Sequence, residues 1–423
     1  MRDVWSRNTR ITYRLGSWPR VRLFEYRPEG SEMDFGLTDE QGFIQETIRK
    51  FMARECPREV ARDLDDRGRF PGKLLRAIAE LGLCALNASE EYGGGDKDLL
   101  GSIVVVEELS AMCPPLAAAF SGVTLRGGRI IAEFGNDDQK RRFLPAIAQG
   151  ALLFTYALIE PVTDVSSDIK TTAMYEDGAF VLNGSKSFVG LASRANYILT
   201  LARTDQAVDI KQGLAFLLVD AAAPGVQIRE IEKVGYRGAS LCEVLLNNVA
   251  VPEDDLLGGV GQLNRGWEQS AFVLALEQIE AAAFGLGIAQ GAYDYGAAYA
   301  RERVQFGQPI AQFEAIQHMF VDMAVAIRAS RLLLYQACWL CDQGLPFAVE
   351  AAVAQLSATE IARKAALQCL HILGGYGYTM EYDAQRYVRD SLGLLDGIET
   401  AEFLKSRVGA LLGLSVAPDS VYA

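Results

Sequence analysis

The sequence predicts an α+β fold in three consecutive parts: an N-terminal α-helical domain, a central β-barrel-like domain and a C-terminal four-helix bundle. Apolar residues recur at three- and four-residue spacing up to about Gln149. Short β-branched and aromatic runs replace that pattern between Leu152 and Leu257, and long helical periodicity returns after Gly266. At 423 residues the chain exceeds what one core normally holds, so two or three domains are expected from length alone.

In the first part, helical patterns at 43–51, 74–83 and 99–112 are punctuated by Pro71, Gly93–Gly95 and Pro114–Pro115. In the second, strands are expected at 153–158, 179–182, 197–202, 214–219 and 244–251, separated by turn clusters such as Glu176-Asp177-Gly178 and Asn183-Gly184. In the third, helices at 267–303, 313–343, 347–373 and 398–412 are joined by short links, the pattern of an antiparallel bundle. The boundaries fall at 33–150, 151–258 and 259–415, with a tail at 416–423. Residues 1–32 are basic and Arg-rich, reading either as a transit-like extension or as a start placed too early, with Met33 the true one; both exclude the segment from the fold.

Composition narrows the function classes. A net charge of −13 disfavours a nucleic-acid partner, and no run of eighteen uncharged apolar residues calls for a membrane span. Seven scattered cysteines suggest reduced thiols and a cytoplasmic location. The Cys338/Cys341 pair has neither a second pair nor a nearby histidine, so a helix face is a better account than zinc or redox chemistry.

The stretch after Trp267 carries the clearest chemical signal. Between Arg265 and Arg301 there is no Lys, Arg or His, yet Glu277 and Glu280 sit in a run otherwise nearly all apolar or small. A carboxylate placed there loses hydration without a local cation, and desolvation moves a carboxyl towards the range a general base needs. The alternative is that one or both face solvent or a partner's arginine. Gly285, Gly287 and Gly291 have the wrong spacing for a dinucleotide loop and suit close helix–helix contact. Arg301 and Arg303 could offer guanidinium groups to a phosphate, and Gly374-Gly375-Tyr376-Gly377 allows close backbone approach to a ligand; a helix-ending arginine pair and a plain glycine turn explain them as well.

Further matches run in order along the chain. Leu37-Thr38-Asp39-Glu40-Gln41, Glu90-Glu91-Tyr92-Gly93-Gly94 and Phe134-Gly135, with Gln139-Lys140 and Phe143-Leu144-Pro145, lie in the helical part. Glu160-Pro161, Asn183-Gly184-Ser185-Lys186 and Ala202-Arg203-Thr204 lie in the β part. Glu302-Arg303 to Phe306-Gly307, Leu373-Gly374-Gly375-Tyr376-Gly377 and Arg389-Asp390 lie in the bundle. From Met33 to about Gly409 this series resembles the acyl-CoA dehydrogenase family.

The resemblance implies non-covalent FAD and a tetramer. A carboxylate takes the α-proton of an acyl thioester while the β-hydride passes to the flavin, giving a trans-2-enoyl thioester, and an electron-transfer flavoprotein accepts the electrons. By position, Tyr156, Leu158 and Ile159 line the flavin, Phe188, Val189 and Gly190 lie against its ring, and Arg303 and Phe306 reach the FAD of a neighbouring subunit. His371, Gly374 and Gly375 lie along the adenosine diphosphate half, and Thr400 contacts it near the C-terminus. The family's common catalytic glutamate, counted nine residues from Arg389, falls on Ile398. A subset resembling isovaleryl- and long-chain-acyl dehydrogenases places it instead thirty residues before the glycine of Phe306-Gly307, which is Glu277; Glu399 and Asp396 are the fallbacks.

Several positions depart from the family. The segment from Ile159 to Asp164 lacks the usual glycines, Gly190 stands for a threonine, Gln278 for an arginine and Ala275 for an aspartate. These changes suggest altered contacts to the carrier, so the thioester expected is an acyl-CoA or acyl-carrier-protein one, from fatty-acid or steroid side-chain metabolism. Three functions stand: an FAD-dependent acyl-CoA dehydrogenase in a homotetramer, a degenerate subunit of a heterotetramer with a homologue, or a flavin-dependent oxygenase on the same fold.

Overall fold

A computed structural model of the chain describes residues 36–95, 97–161, 169–394 and 400–414. The basic extension and C-terminal tail expected at 1–32 and 416–423 lie outside these residues, as do Asp396 and Glu399.

The helical part comprises α1 (Asp39–Glu55), α2 (Arg58–Asp66), α3 (Gly72–Glu80), α4 (Leu99–Ser110), α5 (Pro114–Val123), α6 (Ile130–Phe134) and α7 (Asp137–Ala148). Reciprocal caps start two of them: Thr38 with Gln41 on α1 and Asn136 with Gln139 on α7, each pair satisfying two backbone N–H groups that a helix start leaves without partners. Between α5 and α6 the chain makes a π-helical turn, Thr124–Arg129, which sequence periodicity did not announce.

The sheet contains β1 (Phe154–Ala157), β2 (Thr172–Glu176), β3 (Ala179–Gly190), β4 (Tyr197–Arg203), β5 (Leu214–Asp220), β6 (Val226–Glu230) and β7 (Leu241–Pro252). Its order is β1-β4-β2-β3-β7-β6 with β5 on β4; β1 and β4 run parallel and the long β3–β7 ladder is antiparallel. The sequence reading missed β2 and β6. Both are short and largely exposed, so neither shows the apolar alternation of a strand with one buried face.

After the sheet come α8 (Gly266–Glu302), a hairpin of β8 (Val304–Gln305) and β9 (Gln308–Pro309), α9 (Glu314–Asp342), α10 (Ala348–Leu373), α11 (Ala384–Leu392) and α12 (Ala401–Leu411). The long members match the expected bundle. α11 was unforeseen because Arg386, Arg389 and Asp390 interrupt its apolar pattern; all three are tied to groups on other elements.

One apolar core joins the N-terminal helices to the bundle through α4, α8 and α10, while a second fills the sheet interior around Leu182, Leu217 and Val244. α8 is long and apolar enough to cross a membrane by length and composition, but 83% of its most apolar window is buried inside the protein, as in a core helix. Cys338 and Cys341 lie buried on α9, and all seven cysteines are free and buried, which agrees with the helix-face reading of the pair.

The glycines of α8 serve close packing. A Cβ at Gly291 would stand 2.1 Å from the Ala111 carbonyl oxygen, one at Gly287 2.3 Å from that of Glu107, and one at Gly285 2.8 Å from that of Ala358. By contrast, a Cβ at Gly296 meets its nearest atom, Cys369 Sγ, at 3.6 Å. Gly291→Ala is therefore expected to destabilise the protein by about 1–3 kcal/mol, and Gly296→Ala to be neutral or stabilising. Thermal melts of the two variants test this; equal melting temperatures would contradict the close approach of α8 to α4.

Candidate active site

The site is assembled where the π-helical turn, the end of β1, the end of β3 and the middle of α8 meet. A π turn holds an extra residue, which re-aims the side chains that follow. Here it turns Arg126 towards α8 and Arg129 towards α9, where Arg129 contacts Asp342 and the Lys97 carbonyl. Gly127 lets this turn lie on β1, since a Cβ there would stand 2.8 Å from the Phe154 ring.

Arg126 grips Glu280 with two parallel hydrogen bonds, Nη2 to Oε1 at 2.6 Å and Nε to Oε2 at 3.2 Å. Glu280 is 1% exposed and Arg126 14%. Burial alone would lower the Arg126 pKa, but the Glu280 charge and its hydrogen bonds outweigh that and raise it, with Tyr156 and Glu277 adding to the effect. The sequence-based picture of two carboxylates without a cation is therefore corrected. Glu280 receives its cation from outside its own helix, from the turn after α5. Glu277, one helical turn earlier, is half-buried rather than fully dry, and its charge reaches Arg126.

Around this pair stand two of the expected sheet residues. The Tyr156 ring lies 5.4 Å from the Arg126 guanidinium carbon. Burial, with Glu280 as the next cause, raises the tyrosine pKa well above its usual value. Gly190 faces the same guanidinium: a Cβ there would lie 3.7 Å from Nη1. The Thr155 hydroxyl donates to the Gly190 carbonyl and the Ser187 N–H donates to the Ile159 carbonyl at 2.9 Å, tying β1 and its exit to the end of β3.

The β3–β7 ladder slips between Lys186 and Val189, and Phe188 within the slip has φ +55° and is 61% exposed. A large aromatic residue in the left-handed region, turned outward at a bulge, is the kind of strain that clusters at ligand sites. Val189 and Leu158 are buried in apolar cores, so of these two only the backbone is offered to a ligand; Ile159 is half-buried.

A buried ion pair absent from the expected site residues braces the β1 exit. Glu160 accepts from Lys186 Nζ at 2.8 Å and from the backbone N–H of Lys170 and Thr171 at 2.8 and 3.0 Å. Burial would raise the Glu160 pKa, but Lys186 and the donors together hold it below its usual value.

The remaining expected residues, Thr400 apart, lie at the other end of α8. Arg303, Gly374 and Gly375 line an open cleft of about 530 Å³ together with Tyr299 and Tyr376. Open space lies where a Cβ of Gly374 or Gly375 would stand, and Gly374 has φ +62°. Phe306 and Gly307 form the two-residue turn of the β8–β9 hairpin, with φ +50° and +81°, and Phe306 is 94% exposed. Such a turn favours Asn-Gly, so a phenylalanine held there is strained, and its ring is left bare. His371 is exposed on the last turn of α10, outside the cleft lining; Thr400 caps α12, its hydroxyl accepting from Phe403 N–H at 3.3 Å. Gln278 is fully buried and accepts from Arg407 Nη2 at 3.1 Å, and Ala275 is buried too, so neither faces the surface.

The chain matches three successive family models: acyl-CoA dehydrogenase N-terminal domain over residues 38–151, middle domain over 160–249 and C-terminal domain over 264–395. It belongs to the acyl-CoA dehydrogenase family, oxidoreductases acting on CH–CH bonds. It is 36% identical to a probable acyl-CoA dehydrogenase (YngJ) of Bacillus subtilis over 374 residues, covering 88% of this chain and 97% of that protein. Its fold is similar to that of butyryl-CoA dehydrogenase from Megasphaera elsdenii, with a TM-score of 0.85 at 30% identity over 90% of this chain and 100% of the other. It is equally similar, with a TM-score of 0.85 at 32% identity, to a chain from a study of the electron transferring flavoprotein of Acidaminococcus fermentans, covering 90% of this chain and 99% of that one.

Lys186→Met would strand the Glu160 charge and is expected to cost about 3–5 kcal/mol near neutral pH. In the wild type the lowered Glu160 pKa contributes stability above the unfolded value, about pH 4.3, that is lost as pH falls. The gap between variant and wild type should therefore narrow in acid. Urea melts at neutral and acid pH check this; an unchanged gap would show that the ion pair does not set Glu160.

Proposed function

We propose that the chain is an FAD-dependent acyl-CoA dehydrogenase in which Glu277 removes the α-proton. The observation that carries this reading is the gathering of Tyr156 and Gly190 around Arg126, whose guanidinium feels the Glu277 charge. The position agrees with the count from Phe306-Gly307, and Glu277 is only half-buried while the pair behind it is more deeply buried.

The residues present suit a flavin dinucleotide. Tyr156, Ile159, Phe188 and Gly190 would hold its ring, while Arg303, Gly374 and Gly375, fronted by open space, would hold its phosphates, with Phe306, His371 and Thr400 flanking the adenosine half. When bound, the cofactor supplies a two-electron acceptor for the β-hydrogen. Glu277 accepts the α-proton at its carboxylate, beside the positive charge of Arg126. An electron-transfer flavoprotein is the fitting acceptor for the electrons.

The two halves of this cofactor site lie far apart within one chain. Glu277 and Arg303 are separated by 26 residues of α8, about 39 Å along the axis, so a single FAD reaches Glu277 from one chain and Arg303 from another. This supports an oligomer whose subunits share each flavin, a homotetramer by family resemblance.

Glu277→Gln is expected to leave flavin bound but slow its anaerobic bleaching by an acyl-CoA at least about 100-fold. Undiminished bleaching would move the base to Glu399 or Asp396. Arg303→Ala should lower the flavin retained per chain after gel filtration, and an unchanged flavin count would remove Arg303 from the cofactor site. Wild-type protein that retains no flavin would favour the partner-subunit reading.

A further inference from the structure

Two polar groups beside β1 have nothing to bind within the chain. Arg126 meets Glu280 side-on through Nε and Nη2, which turns its third nitrogen, Nη1, away from the carboxylate. Nη1 makes no hydrogen bond among the described residues, and it is not sealed in: 14% of the Arg126 side chain stays exposed, against 1% of Glu280 behind it. Tyr156 Oη is buried with no hydrogen-bond partner among the described residues, and its ring lies 5.4 Å from the guanidinium carbon. A buried hydroxyl or guanidinium N–H without a partner is destabilising, so such groups call for an explanation.

Gly190 frames the same opening. Its φ is not in the left-handed region, and a Cβ on it would meet one atom within 4 Å among the described residues beyond its chain neighbours, Nη1 itself at 3.7 Å. Neither backbone strain nor a clash at Cβ therefore requires glycine here. What a larger side chain would take is the space onto which Nη1 opens. The Gly190 carbonyl accepts from the Thr155 hydroxyl, which fixes this backbone against β1. Two idle donors and a bare stretch of backbone thus stand together on the strand ends assigned to the flavin ring.

The chemistry of the donors says what they suit. A guanidinium corner and a phenol both donate, so they match a flat edge of ring nitrogen and carbonyl oxygen acceptors. A flavin ring presents such an edge, and acceptance of a hydride adds one negative charge to it. The Arg126–Glu280 pair is neutral as a whole. Its positive end, however, lies towards Gly190 and its negative end towards α8, so its field favours a ring that has gained that charge.

We propose that Arg126 is a flavin-contacting residue: Nη1 donates to the ring in front of Gly190, Tyr156 Oη donates beside it, and the contact raises the reduction potential of the bound flavin. This rests on the reading of the chain as a flavin-dependent dehydrogenase. It makes Arg126 part of the cofactor site rather than only a brace for Glu280.

The test measures the midpoint potential of the flavin in the holoenzyme without substrate. In the double variant Arg126→Gln/Glu280→Gln, which removes both charges together, the equilibrium ratio of reduced to oxidised flavin is expected to fall at least about tenfold, or about 30 mV for a two-electron couple. An ion pair that only braces the fold would change the melting temperature and leave the potential where it was. Arg126→Lys keeps a cation for Glu280 but has no third nitrogen; it supplies the comparison if the double variant does not fold, with a fall of at least about threefold. Tyr156→Phe reads the second donor: the apoprotein should melt no lower than wild type, while the flavin dissociation constant rises about threefold or more. A potential unmoved by the Arg126 variants, or a dissociation constant unmoved by Tyr156→Phe, would overturn the contact. Wild type that is bleached by an acyl-CoA while the variants keep its potential would remove this contact alone; wild type that binds no flavin would remove the dehydrogenase reading and the contact with it.

Discussion

Burying a carboxylate in a helix with almost no exposed surface is costly unless a cation is delivered to it, and Arg126 delivers one to Glu280. The delivery imposes much of the local architecture. The chain after α5 must open into a π turn to aim the guanidinium, Gly127 must lack a side chain so that this turn can rest on Phe154, and β1 must end beside it. The same contact brings Tyr156 and Gly190 to the face of α8 that carries Glu277. One ion pair thus registers the helical part, the sheet and the bundle against each other at the point where chemistry is proposed.

α8 supplies the second constraint. Its glycines bring it within backbone contact of α4 and α10, which fixes the rotation of the helix and so the direction in which Glu277 projects. Its length separates the two ends of the proposed cofactor site. A bare aromatic residue in a tight hairpin turn and an open glycine-lined cleft stand at its far end.

The architecture was largely legible in the sequence because long amphipathic and short alternating patterns report burial directly. β2 and β6 escaped because short strands with largely exposed residues carry no alternation, and α11 because its charged residues are satisfied by distant partners. Glu277 and Glu280 stood out as acids in an apolar helix, but the pairing of Glu280 depended on Arg126, some 150 residues earlier in the chain. The signal was present: Arg126 and Arg129 are the only charged residues between Pro114 and Ala132. It lacked meaning without the π turn that separates their directions. Lys186 and Glu160 were noticed as matches to the family, but their buried pairing could not be read from spacing across two strands. The expectations that fell on Asp396 and Glu399 lie outside the described residues.

The central claim is that Glu277 takes a proton from the carbon next to a thioester. Exchange of α-hydrogens into deuterium oxide isolates that step from the redox half of the reaction. With the holoenzyme, nuclear magnetic resonance should show α-deuteration of a bound acyl thioester in the wild type and none above background when residue 277 carries an amide. Deuterium appearing at the same rate in both proteins would contradict the account.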